Sequence, residues 1–271
     1  MKTIHCFAFA KSIIILSTLI SCKKDSVSNS NNDITETLRP VQTAVSTTVN
    51  ANCSGFYKAL PARYDSTTKK YPLLVFLHGS GEVGNGTTDL PKVLNNSIPN
   101  LIQNNKFPAN FTNDHYSFIV ISPQFKGWPA PDDVKAVINY AISNYRIDTT
   151  RIYVTGLSMG GGATWEYAVL NASKIAAIVP ICGASSVNNT KANAIASADL
   201  PVWAFHNEDD FTVPVSSTKD YITAINSFNP SPLARMTIWP TGGHNAWTKA
   251  SDPDYKENNL NIYEWMLQYH R

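Results

Sequence analysis

From residue 51 onward, short runs of wholly apolar residues alternate with longer amphipathic ones, and this alternation restricts the fold more than any other feature. Leu73-Leu74-Val75-Phe76-Leu77 has no polar residue at either alternate position, as a strand covered on both faces requires. Phe118–Ile121, Ile152–Val154, Ile175–Val179 and Val202–Phe205 read the same way, with Met236–Trp239 as a last strand. Between them Val134, Val137, Ile138, Ala141, Ile142 and Tyr145 recur at helical spacing, with Asp132 and Asp133 at the start, where the helix dipole favours acids. Further helices are predicted from near Ser158, from near Ser216, and over Leu260–Tyr269 at the end. Strand–helix alternation of this kind predicts an α/β fold with a mainly parallel central sheet and helices on both faces. In such sheets the reactive loops lie at the carboxyl ends of the strands.

The 271 residues are 43% apolar and 15% charged, enough for one large domain and too little charge for disorder. Lys and Arg exceed Asp and Glu by two, and Lys2 and Lys11 fall in a segment expected to be removed. The rest is balanced, with no positive excess to hold nucleic acid. None of the four cysteines forms a C-x-x-C pair, which argues against a zinc ribbon, a redox pair or a disulfide scaffold.

The first 21 residues read as a signal peptide: Lys2 and Lys11 supply charge, and Ile13–Ile20 the apolar region. That region is shorter than a membrane-spanning helix. It ends in Leu19-Ile20-Ser21-Cys22, which resembles the lipobox of bacterial lipoproteins, so Cys22 is expected to carry lipid and anchor the chain to a membrane. Residues 22–50 open with a Ser- and Asn-rich polar stretch and are expected to form a flexible tether.

The chemistry concentrates at strand ends. Ile152–Thr155 runs into Gly156-Leu157-Ser158-Met159-Gly160 and then a helical pattern, which is G-x-S-x-G in its strand–turn–helix context. The sharp turn presents Ser158, and the two glycines let strand and helix approach. The amide of Met159, at the helix start, then faces a developing oxyanion. A serine needs a base. His5 leaves with the signal peptide, His270 sits at a helix end, His115 lies in a polar loop, and His78 and His206 precede a glycine loop and an acidic loop. His244, in the loop Thr241–Trp247 just past the last strand, is the candidate. The orienting carboxylate is expected after strand Val202–Phe205, where Glu208, Asp209 and Asp210 are equivalent on chemistry alone. Gly79-x-Gly81-x-x-Gly84 formally matches a dinucleotide fingerprint, but neither the helix nor the downstream acid follows. As a loop of backbone donors it fits better, with the amide of Ser80 as the second oxyanion donor.

These residues resemble the α/β-hydrolase fold, and within it secreted bacterial esterases of prolyl-oligopeptidase-like type. Those are similar to the feruloyl and acetylxylan esterases of carbohydrate esterase family 1. The resemblance runs through Tyr71–Glu82, Ser122-Pro123-Gln124, Gly156–Gly161, Val213-Pro214 and Gly242-Gly243-His244. In that family the acid lies three residues before Val-Pro, which implies Asp210. The family's usual His-Gly before the acid is His206-Asn207 here. The resemblance implies an α/β-hydrolase catalytic domain over residues 51–271, a Ser158–His244–Asp210 triad, an acyl-enzyme, and no metal or organic cofactor. The short connection Cys182–Leu200 leaves no room for a large lid. An open cleft suits an acyl group displayed on a polysaccharide, with Trp128 and Trp247 stacking on sugar or aromatic acyl groups. A serine peptidase on the same triad is the alternative, and a non-catalytic glycan-binding lipoprotein a third reading. Cys53 and Cys182 are left as either a bridge or two buried thiols.

Overall fold

The structure is a computed structural model that describes Met1, residues 35–112 and residues 115–271. Cys22, the expected signal peptide beyond Met1 and the tether up to residue 34 lie outside the described residues.

In chain order the elements are β1 (Val41–Ser46), β2 (Cys53–Leu60), β3 (Tyr71–Leu77), α1 (Ser97–Gln103), β4 (Ile119–Phe125), α2 (Pro131–Asn144), β5 (Ile147–Leu157), α3 (Met159–Asn171), β6 (Ala177–Ile181), α4 (Asn189–Ala196), β7 (Trp203–Asn207), α5 (Ser216–Asn226), β8 (Arg235–Trp239), α6 (Trp247–Ala250) and α7 (Ile262–Met266). The eight strands form one open sheet in the order β1-β2-β4-β3-β5-β6-β7-β8. The β1–β2 and β2–β4 pairs are antiparallel and the rest parallel. This is the α/β-hydrolase fold.

Alternate residues of β3 enter two separate cores. Leu73, Val75 and Leu77 pack on one face with Val134, Val137, Ile138 and Ala141 of α2, Trp165 of α3 and Tyr221 of α5. Leu74 and Phe76 pack on the other face with Ile98 and Ile102 of α1 and with Tyr263 and Met266 of α7. Because successive strand side chains point to opposite faces, a strand with two covered faces can show no polar alternation. On the first face Trp165 stacks on Tyr221, ring centroids 4.1 Å apart at 6°.

The expected tether stops short of residue 50. The folded chain is already anchored by Glu36, a buried residue whose carboxylate accepts the amides of Thr37, Leu38 and Arg63. Strand β1 then pairs with β2 from Val41↔Leu60 to Ser46↔Gly55. None of its side chains is fully buried, so its backbone pairing, with Val45 packed on the core and Gln42 bonded to the Pro99 carbonyl, holds it in place and its composition reads as linker. The final helix is shorter than predicted, covering only Ile262–Met266. Cys53 and Cys182 are two free buried thiols, one in each core on opposite faces of the sheet, and cannot be bridged.

At the end of β3, His78 is 1% exposed, accepts the Phe125 amide of β4 at Nε2 (2.9 Å) and donates from Nδ1 to the Gly79 carbonyl (2.6 Å). Burial pushes its pKa from 6.5 to about 4. An imidazole neutral when folded but protonated when unfolded leaves stability intact above the unfolded value. That stability is lost as pH falls from about 6.5 to about 4. The loss from His78 is about 3 kcal/mol at the acid end. Chemical denaturation at pH 7, 5.5 and 4 is therefore expected to show a shallower decline for His78→Phe than for wild type; equal declines would mean that folded His78 binds a proton.

Candidate active site

Ser158 sits between β5 and α3 with φ 52° and ψ −114°, a conformation that side-chain-bearing residues rarely adopt. The neighbouring glycines explain why the chain tolerates it. A methyl at Gly160 would lie 2.0 Å from the Leu77 carbonyl oxygen of β3, and one at Gly156 would lie 2.5 Å from the Gly160 carbonyl oxygen. Strand β5, helix α3 and the end of β3 thus meet backbone to backbone. Met159, as the first residue of α3, has no carbonyl one turn earlier in the helix for its amide. The loop after β3 lies against the turn: a methyl at Gly79 would come 2.6 Å from Leu157 Cδ1 and 3.7 Å from Ser158 Cβ. Ser80 and Ser158 share a cleft of about 200 Å³ that also includes Glu82, Asn96, Thr212, His244 and Trp247.

The structure brings Ser158, His244 and Asp210 together. His244 Nε2 lies 2.8 Å from Ser158 Oγ, and His244 Nδ1 lies 2.7 Å from Asp210 Oδ2. With Nδ1–H donating to the carboxylate, Nε2 is left as an acceptor for the serine hydroxyl. The His244 side chain is 20% exposed and that of Asp210 is fully buried. Burial opposes a charge on Asp210, but hydrogen bonds from His244 and from the amides of Val213 and Thr212 (each 2.9 Å to Oδ1) outweigh it. Its pKa falls below the ordinary carboxylate value and it stays ionised.

The three consecutive acids, indistinguishable by chemistry, take three separate jobs. Glu208 pairs with Lys219 at the surface. Asp209 accepts the amides of Gly243 (2.8 Å) and Gly242 (3.3 Å), binding the turn before His244. Asp210 meets the imidazole. Asn207, where the resemblance led to an expected glycine, donates from Nδ2 to the Gly243 carbonyl at 2.9 Å. Gly242 has φ 143°, and a methyl there would lie 2.6 Å from Asn207 Nδ2, so side chain and glycine fit each other.

Sequence reasoning missed His206. Its Nε2–H is shared between the Val213 carbonyl (2.9 Å) and Asp210 Oδ2 (3.1 Å), while Nδ1 accepts from the Thr218 hydroxyl (2.8 Å). Burial lowers its pKa, partly offset by those bonds, and it is neutral. Asp210 Oδ2 therefore receives two imidazole N–H groups. A histidine four residues before an acid at a strand end was visible, but nothing in the sequence shows that its ring points at that acid.

Trp247 lines the cleft, its ring edge-on to His244 at a centroid distance of 5.4 Å. Trp128 does not line it. The Gly127 amide is held by the Asn52 side chain, and the indole of Trp128, half-exposed, rests on α3 beside Gly162. Phe211, between Asp210 and the cleft-lining Thr212, is wholly exposed and was not anticipated. Among the described residues the only group of three metal-ligating side chains is Cys182, Asp210 and His244, within 4.8 Å. Asp210 and His244 are already bonded to each other, and burial pushes the Cys182 thiol up to about 12.

Residues 64–251 match the family described as Phospholipase/Carboxylesterase, and the chain belongs to that family of α/β-hydrolases. It is 29% identical over 132 residues to a carboxymethylenebutenolidase-like protein of Salmonella typhi, a match covering 45% of this chain and 48% of the relative. The chain thus spans about half the length of that relative. It is 24% identical over 203 residues, 72% of this chain and 26% of the relative, to the bifunctional acetylxylan esterase/xylanase of Neocallimastix patriciarum. Among solved structures, the feruloyl esterase module of Clostridium thermocellum, complexed with sinapinate, superposes with a TM-score of 0.56 at 20% identity. That superposition covers 80% of this chain and 86% of the module.

The clamp of Asp209 on the Gly242-Gly243 turn has a measurable consequence. Asp209→Ala is expected to slow fluorophosphonate labelling of Ser158 about tenfold, because a loosened loop misplaces His244, at a cost in stability of about 1 kcal/mol. An unchanged labelling rate would show that the loop holds its own position.

Proposed function

We propose that the protein is a serine carboxylesterase acting on acylated polysaccharide, with feruloyl or acetyl groups as the acyl part. The observation that carries this is the unbroken line Ser158 Oγ–His244–Asp210, with bonds of 2.8 and 2.7 Å, opening into a cleft. In this reading Ser158 Oγ attacks the ester carbon as His244 Nε2 takes its proton. The amides of Met159 and Ser80 donate to the oxyanion, and His244 returns the proton to the departing sugar oxygen. Water, deprotonated by His244, then attacks the acyl-enzyme and frees the acid and Ser158. Asp210 stays ionised throughout and holds the imidazole in register. The names of the acetylxylan esterase/xylanase and feruloyl esterase relatives support a glycan ester, as does an indole in the cleft wall beside His244.

The test is acid release from acetylated and feruloylated xylan by the domain lacking residues 1–22. Ser158→Ala is expected to lower turnover by about 10⁴–10⁶-fold and Asp210→Asn by about 10⁴-fold. Protein that labels with a fluorophosphonate, releases no acid from either xylan and cleaves peptides instead would replace the esterase reading with the peptidase one.

We also propose that Cys22 carries lipid and tethers the enzyme to the cell envelope, on the strength of Leu19-Ile20-Ser21-Cys22. Intact mass of the full-length protein extracted from membranes is expected to show a chain starting at Cys22 with a lipid adduct. A chain of that start without the adduct would refute the anchor.

A further inference from the structure

Each oxygen of the Asp210 carboxylate accepts two N–H groups, so its lone-pair sites are all filled. Oδ1 takes the amides of Thr212 and Val213, each at 2.9 Å. Oδ2 takes His244 Nδ1–H at 2.7 Å and His206 Nε2–H at 3.1 Å. Of these donors only His244 also meets Ser158. His206 is therefore the one side chain that shares with His244 the oxygen on which His244 depends.

The neighbours of His206 fix which of its nitrogens carries the proton. The Val213 carbonyl and the ionised Asp210 carboxylate can only accept, so Nε2 is the donor. Nδ1 then accepts from the Thr218 hydroxyl of α5 at 2.8 Å, and Thr218 is wholly buried. The side chains of His206 and Asp210 are both fully buried as well, so neither bond is open to bulk water. One line of hydrogen bonds thus runs from Thr218 Oγ1 through His206, Asp210 and His244 to Ser158 Oγ.

An N–H aimed at a carboxylate oxygen stabilises the negative charge there and weakens its pull on a second donor to the same oxygen. In a buried site the effect is little screened. In acyl transfer His244 must take a proton from Ser158 and then release it. A carboxylate whose Oδ2 faced His244 alone would hold the imidazolium more tightly and leave less of the neutral base.

We infer that His206 is a positioning residue whose Nε2–H, by sharing Asp210 Oδ2 with His244, limits how tightly Asp210 holds the protonated base. This rests on the reading of Ser158, His244 and Asp210 as a working triad.

Besides Asp210 and His206, three titratable groups surround His244. The Cys182 thiol, just past β6, has its Sγ 3.4 Å from the His244 carbonyl oxygen; Asp209 binds the turn before His244; Glu82 shares the cleft from the loop after β3. Beside Thr218 on α5, Lys219 is paired with Glu208. Substitution of His206 removes none of these groups.

The experiment follows the rate of fluorophosphonate labelling of Ser158 from about pH 5 to 9 in wild type, His206→Phe and His206→Gln. Only neutral His244 accepts the serine proton, so the acid limb of the profile reads its protonation. His206→Phe leaves more negative charge on Oδ2 and stabilises the imidazolium, and the midpoint of that limb is expected to rise by about 0.5–1 pH unit. His206→Gln, whose side-chain amide offers an N–H from a similar position, is expected to return the midpoint to the wild-type value. Residues that only brace the loop lower the plateau rate and leave the midpoint in place. An unmoved or lowered midpoint in His206→Phe, or an equal rise in both variants, overturns the inference and leaves the triad reading standing. Imidazole nitrogen NMR of wild type decides the case in which the variants do not fold. The sealed Nε2–H resonance of His206 is expected to shift with the same midpoint as His244, and a resonance indifferent to that titration overturns the inference. Wild type that fails to label at Ser158 overturns the triad reading and this inference with it.

Discussion

The close approach of three backbones around Gly160 is the constraint on which the rest depends. Strand β3, strand β5 and helix α3 meet there so tightly that a single methyl would sit 2.0 Å from the Leu77 carbonyl. That contact forces the turn between β5 and α3 to be sharp, and the sharp turn holds Ser158 at φ 52°. The same contact fixes the loop after β3, since β3 and β5 are paired up to Leu77↔Gly156. Ser158 and the loop after β3, the proposed nucleophile and oxyanion loop, are therefore positioned by one packing event, and neither relies on a flexible side chain.

Asp210 and His244, the proposed acid and base, by contrast sit on loops after β7 and β8, at the far end of the parallel sheet. Loops need their own bracing, and here each supports the other. Asn207 at the end of β7 and Asp209 of the first loop bind the carbonyl and amides of Gly242 and Gly243 in the second. Asp210 is itself oriented by two backbone amides and by His206. Asn207, where glycine was expected, thus sits beside an intact turn and ties the end of β7 to the loop that carries His244.

Legibility followed burial and backbone geometry. Leu73–Leu77 was readable because two covered faces leave no polar position, and Gly156–Gly160 because only glycine permits that approach. Strand β1 was not, since an edge strand with no fully buried side chain is held largely by pairing that its composition does not record. His244 emerged by eliminating the other histidines. The order among Glu208, Asp209 and Asp210 did not emerge from chemistry, because it depends on which way each carboxylate turns; family spacing was needed to select one. Trp128 and Trp247 looked alike as loop tryptophans, yet only the second lies on a segment that folds back over Ser158.

Three histidines end up at the carboxyl edge of this sheet, and their environments separate what each can do. His78 and His206 are sealed, neutral and bonded through both ring nitrogens to groups that never leave: the Phe125 amide and Gly79 carbonyl for one, Thr218, Val213 and Asp210 for the other. Proton transfer to either would break a buried bond and place a charge where burial disfavours it. His244 alone has one nitrogen held by a carboxylate and the other facing a hydroxyl at an open cleft. Its charge, when it forms, meets Asp210 on one side and solvent on the other. The proposed general base is thus distinguished from its two neighbours by an accessible nitrogen with an ionised partner behind it.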